Sequence, residues 1–476
     1  MLAAADFEVT APSGMAAGMT QLPSTVSLQP RPKSGDRGIK WDGSQFANWV
    51  ACWLILPNLP YLWITLLGGP PRYSEIVMCG AVGLAVRRTN YIVRVAAFVT
   101  MMAFMLAAFI AHMFNMDIRM LVVVAPLVLG INPGASTEYV VAAGALFLTL
   151  AVACWLLRSS SAFRGVRWLL GAACATLLLA AGDYLISRDA MGSYSRLAPE
   201  GAPFDSATKE TSLTHLADGK TNIMLVMVEA MGEPRRGPLR DRLDQIWMRP
   251  ELEDKYEIVR GTTPFYGSTT TGEVRELCQR WGNYPEIDQP DPSCLPAVLA
   301  ARGYQTSSYH GFHSDFFDRT KWYPLIGFQR SFFGEELLAE HVRYCPNVFA
   351  GACDADIANR ISQRLVEASK PQFVYWLTLN SHLPIAENRE LGTENCSRLG
   401  EPSDRELPMV CRLFAVWQGT ADALFAAIAR PDFPPTDILV VGDHMPPLTN
   451  QRSRVQFDPE RVPWILYRYR GPNSAN

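Results

Sequence analysis

The chain has 476 residues, 49% of them hydrophobic, and a formal net charge of −3 at pH 7. That length and apolar share exclude a single small soluble domain, and the near-neutral charge leaves no polybasic footprint for nucleic acid. Nearly all the long apolar runs fall in residues 46–186, whereas residues 200–476 alternate strand-like and helix-like stretches with an ordinary share of charge. The expectation is a membrane domain joined to a globular one.

Residues 1–45 are rich in Ser, Pro, Gly and Ala and carry Arg31, Lys33, Arg37 and Lys40 ahead of the first apolar run. They read as a disordered cytoplasmic tail without the charged-then-apolar start of a cleavable signal peptide, so the first span serves as an uncleaved anchor. Residues 46–186 form the expected membrane domain of about five helices: Phe46 to Leu67, a short one from Tyr73 to Val86, Ile92 to Met113, Glu138 to Leu157 and Trp168 to Ile186. Most approach the roughly 20 residues that a bilayer core requires. Met120 to Ile131, broken by Pro126 and Gly130, reads as a re-entrant or interfacial piece. Arg87 and Arg88 follow the second span, and Arg158, Arg164 and Arg167 fill the loop before the fifth, so both loops are expected in the cytoplasm. Five spans then put everything after Ile186 on the outer, periplasmic side.

Cysteine usage agrees with that side. Cys52, Cys79, Cys154 and Cys174 lie in apolar runs, while Cys278, Cys294, Cys345, Cys353, Cys396 and Cys411 lie in the globular half. An even six outside the membrane predicts disulfides; sequence neighbours come first as partners (278 with 294, 345 with 353, 396 with 411), but six cysteines allow about 15 connectivities and sequence does not choose among them.

Residues 187–220 are a polar connector, expected to be partly helical along the membrane surface, and residues 221–476 a periplasmic catalytic domain. Its predicted strands each run into polar residues: Asn222 to Val228 into Glu229, Tyr304 to Tyr309 into His310, Gln372 to Leu379 into Asn380, Ser381 and His382, and Asp437 to Val441 into Gly442, Asp443 and His444. Helical runs over Asp354 to Ser369 and Leu407 to Ala429 supply crossovers for a parallel sheet. In a doubly wound α/β sheet the carboxyl ends of the strands line one crevice, which gathers Glu229, His310, His382, Asp443 and His444.

Tyr266 to Cys278 is a turn of small residues and hydroxyls that opens into a helix. Thr270 and Glu273 have capping-box spacing. The same helix start offers free N–H groups and the positive end of a dipole to a phosphoryl group. Threonine becomes a nucleophile only when a base or metal lowers its pKa. An acid, an Asp-His pair and a hydroxyl residue make a four-ligand site for one divalent ion, with Zn2+ or Mn2+ fitting three oxygens and one imidazole.

Val228-Glu229, Gly267 to Glu273, Asn380-Ser381-His382 and Gly442-Asp443-His444 together resemble the alkaline phosphatase and sulfatase superfamily. More narrowly they resemble lipoteichoic acid synthase-type phosphoglycerol transferases and phosphoethanolamine transferases. The resemblance implies a sulfatase-like α/β fold with a metal on Glu229, Thr269, Asp443 and His444, and Thr269 as the catalytic nucleophile. Tyr309 to Arg319 and Gly327-Phe328 resemble the head-group pocket, which implies substrate-binding roles for His310, Phe317 and Arg319, with His382 at the phosphoryl group or leaving oxygen. Phe312 replaces an acidic residue of the synthase pattern and Phe317 a Trp, a departure that bears on glycerol recognition.

The implied activity moves a phospho-alcohol head group, phosphoglycerol or phosphoethanolamine, from a phospholipid donor through phospho-threonine to a hydroxyl of a glycan or lipid acceptor. A phosphodiesterase or phosphatase of the same fold is the alternative. A sulfatase proper would need Cys-x-Pro-x-Arg, and Cys294-Leu295-Pro296-Ala297-Val298 lacks the Arg. A transporter or scaffold would place ionisable groups deep in the spans, whereas Glu75, Arg94, His112, Glu138 and Asp183 lie near span ends.

Overall fold

The computed structural model describes residues 43–66, 70–113, 118, 132–159, 161–187, 192–235, 237–394, 396, 407–448 and 450–471. The apolar run Met120 to Ile131 and all of the expected tail except its last three residues lie outside them.

Among the described residues, three helices are long and apolar enough to cross a membrane. They belong to α2 (Tyr91–Met113), α3 (Thr137–Leu156) and α4 (Val166–Ser187), and are preceded by the shorter α1 (Tyr73–Val86). The first expected span is a helical run over residues 43–66 interrupted by a π turn at Ala51–Ile55 and a 3₁₀ turn at Leu56–Asn58. The 14 residues of α1 rise only about 21 Å, short of a bilayer core of about 30 Å. Glycines let α1 pack closely: a Cβ on Gly80 would lie 2.5 Å from Thr176 of α4, and one on Gly83 2.4 Å from Trp53.

The loops sort to two ends of the bundle. At one end Asn48 donates to Ser161 (3.0 Å) and Arg94 to Ser159 O (2.6 Å), beside the basic loops after α1 and α3. At the other the Arg72 N–H donates to Asp183 (2.6 Å) and His112 lies 3.8 Å from Glu75.

The globular part is built on a seven-stranded sheet with the order β2-β9-β8-β1-β7-β3-β4. The strands are β1 (Asn222–Val228), β2 (Tyr256–Pro264), β3 (Gln305–His310), β4 (Arg330–Phe332), β7 (Gln372–Leu377), β8 (Thr436–Gly442) and β9 (Arg461–Tyr469). A separate two-stranded ribbon joins β5 (Tyr344–Cys345) to β6 (Gly351–Ala352). Strands β8, β1, β7, β3 and β4 run parallel, and β9 and β2 close one edge antiparallel.

Strand β1 is apolar throughout because it is covered on both sides. Met224, Val226 and Val228 enter one core, while Ile223, Leu225 and Met227 enter the other. The first core takes the apolar faces of α10 (Asp354–Glu367) and α11 (Pro408–Ile428). The second takes α6 (Thr269–Cys278), α7 (Leu295–Ala301) and α8 (Arg319–Leu325). Two further helices, α5 (Pro238–Trp247) and α9 (Gly334–Ala339), flank the sheet.

All three disulfides join sequence neighbours, Cys278–Cys294, Cys345–Cys353 and Cys396–Cys411. The connector is partly helical, with short elements at Gly192–Ser195, Ala207–Glu210 and Leu213–Leu216. Its short turns pack on the sheet domain: the N–H groups of Ala207 and Thr208 donate to the buried Glu276 carboxylate, and Ser193 N donates to Pro459 O.

Candidate active site

The parallel strands deliver their last residues to one edge, as their common direction requires. Glu229 follows β1, and its backbone is held on both sides: its N–H donates to Thr378 Oγ1 (2.9 Å), and its C=O accepts from Ser381 Oγ (2.7 Å). Ala230, next in sequence, has φ +55°, a left-handed turn unusual for alanine, and its N–H donates to Asp443 Oδ1 (2.8 Å). Gly442 ends β8 where a Cβ would stand 1.9 Å from Met231 O, so only glycine lets the two strand ends approach this closely.

Helix α6 brings the hydroxyl. The Thr269 hydroxyl donates to Glu229 Oε2 (3.1 Å) and lies 3.2 Å from His444 Nε2. That same nitrogen is 3.2 Å from Asp443 Oδ2 and 3.4 Å from Glu229 Oε1. His444 Nδ1 donates to Met445 O (2.8 Å), which turns Nε2 toward the carboxylates.

Thr270 and Thr271 turn elsewhere. Thr270 Oγ1 donates to Asn283 (2.9 Å), and Thr271 Oγ1 lies 2.6 Å from the carbonyls of Tyr266 and Ser268. The capping box is absent: Ser268 is the N-cap, and Glu273 points away from it. Glu273 instead lies fully buried, accepting from Arg319 Nη2 (2.8 Å) and Nε (3.2 Å), from Tyr375 (3.2 Å) and from Tyr323. A buried carboxylate needs a cation and donors, and this demand outcompetes a cap.

The electrostatics ask for a further positive charge. Burial works against ionisation of Glu229, yet the imidazoles of His382 and His444 hold its carboxyl down to about 2. Burial and the neighbouring Glu229 push Asp443 well above the carboxylate range. Although burial opposes it, Asp443 and Glu229 lift His444 to about 9. Asp443 Oδ2 is buried with no hydrogen-bond partner. Glu229, Asp443 and His444 present ligand atoms within 4.8 Å of one another, and the Thr269 oxygen completes three oxygens and one nitrogen. These residues fit one divalent cation, which would satisfy the orphaned oxygen and let both carboxylates ionise together. Cys278, Asp291 and Cys294 also cluster, but the two sulfurs are joined to each other.

The remaining expected residues lie around this centre. His310 is buried at the end of β3, donates Nδ1 to Leu377 O (3.1 Å), and is pushed down to about 3 by burial and then by the Arg319 charge. His382 donates Nδ1 to Leu383 O (2.9 Å), packs its ring 3.9 Å from that of Phe349, and is lowered chiefly by burial. Arg319 is 1% exposed. Its guanidinium is spent on Glu273 and the Phe316 carbonyl (3.2 Å), a buried ion pair where a surface one was the alternative to phosphate binding. Phe317 has φ +58° and packs in a cluster with Phe316 and Tyr284; Phe312 packs on Phe316 and Phe349.

Two contributors carried no motif. Tyr194 of the connector stands edge-on to His444 with ring centroids 4.8 Å apart. Arg275, on the face of α6 opposite no recognisable signature, donates to Asp443 O (3.0 Å) and Gly442 O (2.8 Å) and pairs with Glu276 (2.7 Å). Neither offered a signal in the sequence, because the burial of α6 along its whole length emerges only in the fold.

A Rhizobium meliloti (strain 1021) protein provisionally assigned to cyclic beta-1,2-glucan modification is 25% identical over 259 residues, 50% of this chain. The chain spans 38% of the length of that curated relative. Among solved structures, the lipoteichoic acid synthase LtaP from Listeria monocytogenes has 15% identity and a TM-score of 0.42, over 55% of this chain and 72% of that one. The Streptococcus pyogenes phosphoglycerol transferase GacH in complex with sn-glycerol-1-phosphate has 16% and 0.37, over 55% and 73%. The C-terminal periplasmic domain of EcEptC from Escherichia coli in complex with Zn has 13% and 0.38, over 53% and 74%. These scores are too low to carry an argument about individual residues. The sulfatase profile, in contrast, matches residues 222–470, which include every strand-end group described above and more than half of the 476 residues, and the chain belongs to the sulfatase family.

Proposed function

We propose that the chain is a membrane-bound, metal-dependent transferase that moves a phospho-alcohol head group, phosphoglycerol or phosphoethanolamine, from a phospholipid to a glycan or lipid hydroxyl through phospho-Thr269. The observation that carries this reading is the Thr269 oxygen, set within hydrogen-bond reach of both Glu229 and His444 at the start of a helix. A divalent ion, zinc or manganese, on Glu229, Thr269, Asp443 and His444 would depress the hydroxyl pKa and offset charge on the phosphoryl group. Thr269 Oγ1 bonds to phosphorus as the bond to the diacylglycerol oxygen breaks, and the hydroxyl proton, first shared with Glu229, ends on the departing diacylglycerol. In the second step an acceptor hydroxyl attacks phosphorus, the bond to Thr269 breaks, and threonine regains a proton.

His382 suits that second step. With Nδ1–H given to Leu383 O, its Nε2 would take the acceptor's proton, and its lowered pKa keeps it neutral near pH 7. His310 and Phe317 border the head group, and Arg319 acts there through its charge, which is felt at both His310 and His382. The apolar helices favour transfer over hydrolysis because they hold the site beside the lipid layer in which a donor lies. We place the sheet domain on the periplasmic side of the cytoplasmic membrane, on the strength of the basic loops. The relative provisionally assigned to glucan modification supports testing a glycan hydroxyl first among the acceptors.

The test is full-length protein in nanodiscs containing phosphatidylglycerol or phosphatidylethanolamine, loaded with zinc or manganese. Diacylglycerol release that requires both the metal and Thr269 is expected, with the head group recovered on added glycan. Release of free head group at the same rate with and without glycan would replace the transferase by the hydrolase of the same fold.

A further inference from the structure

Beside the loop that follows His310 lies a cavity of about 480 Å³, lined by Asn132, His313, Glu335, Leu338 and Tyr344, with Gly311, Gly334 and Gly351 among its walls. None of the groups in the proposed chemistry lines it. We propose that this cavity binds a sugar ring of the acceptor glycan, holding a neutral saccharide beside the phospho-threonine centre. The proposal rests on the transferase reading for its purpose, and on the cavity itself for its chemistry.

The cavity is built rather than incidental. A Cβ on Gly351 would lie 2.2 Å from Gly311 O, one on Gly334 2.7 Å from the same oxygen, and one on Gly311 2.6 Å from Ala352 O. The three glycines therefore let three backbone segments close on one another, and Ala352 N–Gly311 O and Gly334 N–Phe312 O hydrogen bonds of 2.8 Å fix them. The Cys345–Cys353 bridge ties the ends of the ribbon beside Tyr344.

The lining suits an uncharged polyol. Tyr344, 57% exposed among the lining residues, offers a flat ring on which the CH face of a pyranose would stack. His313 and Glu335 pair at 3.0 Å at the rim and offer hydroxyl groups both a donor and an acceptor. They are the only acid and base facing each other among the lining residues. A phosphate would meet the Glu335 carboxylate with no arginine or lysine to hold it, so a second lipid head group fits poorly.

Position links the cavity to the chemistry. Gly311 and Phe312 follow His310 directly, so chain geometry keeps them within about 8 Å of it, and the Phe312 ring packs against Phe349, which in turn packs on His382. A sugar seated here would have its hydroxyls on the side of the base assigned to the second step.

The probe is a neutral β-1,2-linked glucose oligosaccharide, titrated against the full-length protein in nanodiscs and followed by saturation-transfer NMR. The dissociation constant should rise about tenfold in Tyr344→Ala and in Glu335→Gln, the size of one lost ring contact or hydrogen bond, and recover in Tyr344→Phe. Unchanged affinity in both variants, or no binding to the wild type, would overturn the proposal. Diacylglycerol release measured on the same wild-type sample separates the two readings: Tyr344-dependent binding without any release would keep the cavity and sink the transferase.

Discussion

Each hydroxyl in the Thr269-Thr270-Thr271 run has a different partner, and those partners define what substitution should do. Thr269→Ala should lower diacylglycerol release by about 10³-fold or more, whereas Thr269→Ser, which keeps the nucleophile, should stay within about tenfold of wild type. Thr270→Ala gives up one hydrogen bond to Asn283 and should cost about 1 kcal/mol of stability, read by denaturant melting, with turnover retained. His382 sets the pH response. Its pKa is lowered by burial, so it is neutral at pH 7 and gains a proton only on the acid side of free imidazole. Transfer to glycan should therefore be flat through neutrality and fall in acid, and His382→Asn should be slow and lack that acid limb; a limb that persists in the variant would assign it to another group. At this scale the sequence was informative where the family pattern fixes a register, as at Glu229, Thr269, Asp443 and His444. It misled at Glu273, because capping-box spacing is local while the pairing of a buried carboxylate with Arg319, Tyr323 and Tyr375 depends on residues up to 102 positions away.

Elements hold this geometry through bonds that no short motif encodes. Arg275 reaches from α6 to the carbonyls of Gly442 and Asp443 at the end of β8, so it sets the distance between nucleophile and carboxylates. Arg275→Ala should weaken metal retention about 10–100-fold, as loss of a supporting interaction does. It should also destabilise the domain by about 3–5 kcal/mol, because Glu276 is left as a buried charge without its cation. Equilibrium dialysis against zinc and a denaturant melt on the same variant check both. Strand positions were legible, since β1, β7 and β8 are apolar runs ending in polar residues, and their ends were placed to within two residues. The connector was not legible: Tyr194 reaches His444 only because the chain folds back over the loop at Gly267, whose N–H donates to Ser193 O (2.9 Å), and nothing in a polar segment announces that return.

The whole molecule has basic loops gathered at one end of its helical bundle, while Ser187 leaves α4 near the other end, by Asp183 and Arg72. This arrangement is compatible with the orientation proposed from the loop charges, in which the sheet domain lies on the outer face, where its three disulfides would form. A cysteine placed at Lys321, whose side chain is 76% exposed, should react with a membrane-impermeant maleimide in intact spheroplasts. Labelling that appears only after lysis would reverse the orientation. Apolar runs announced the membrane part, but their lengths gave less: α1 is only 14 residues, and the run at 43–66 is broken by π and 3₁₀ turns around Pro57. Hydropathy counts apolar residues and does not register how glycines such as Gly80 and Gly83 draw a short helix against its neighbours.

The most direct test of the central claim is the mass of the peptide containing Thr269, taken from full-length protein purified out of its own membranes and compared with Glu229→Ala. The account predicts a phosphoglycerol or phosphoethanolamine adduct on Thr269 that is lost in the variant. An adduct on Thr270 or Thr271, or an unmodified peptide in a wild-type protein that also retains no divalent metal, would contradict it.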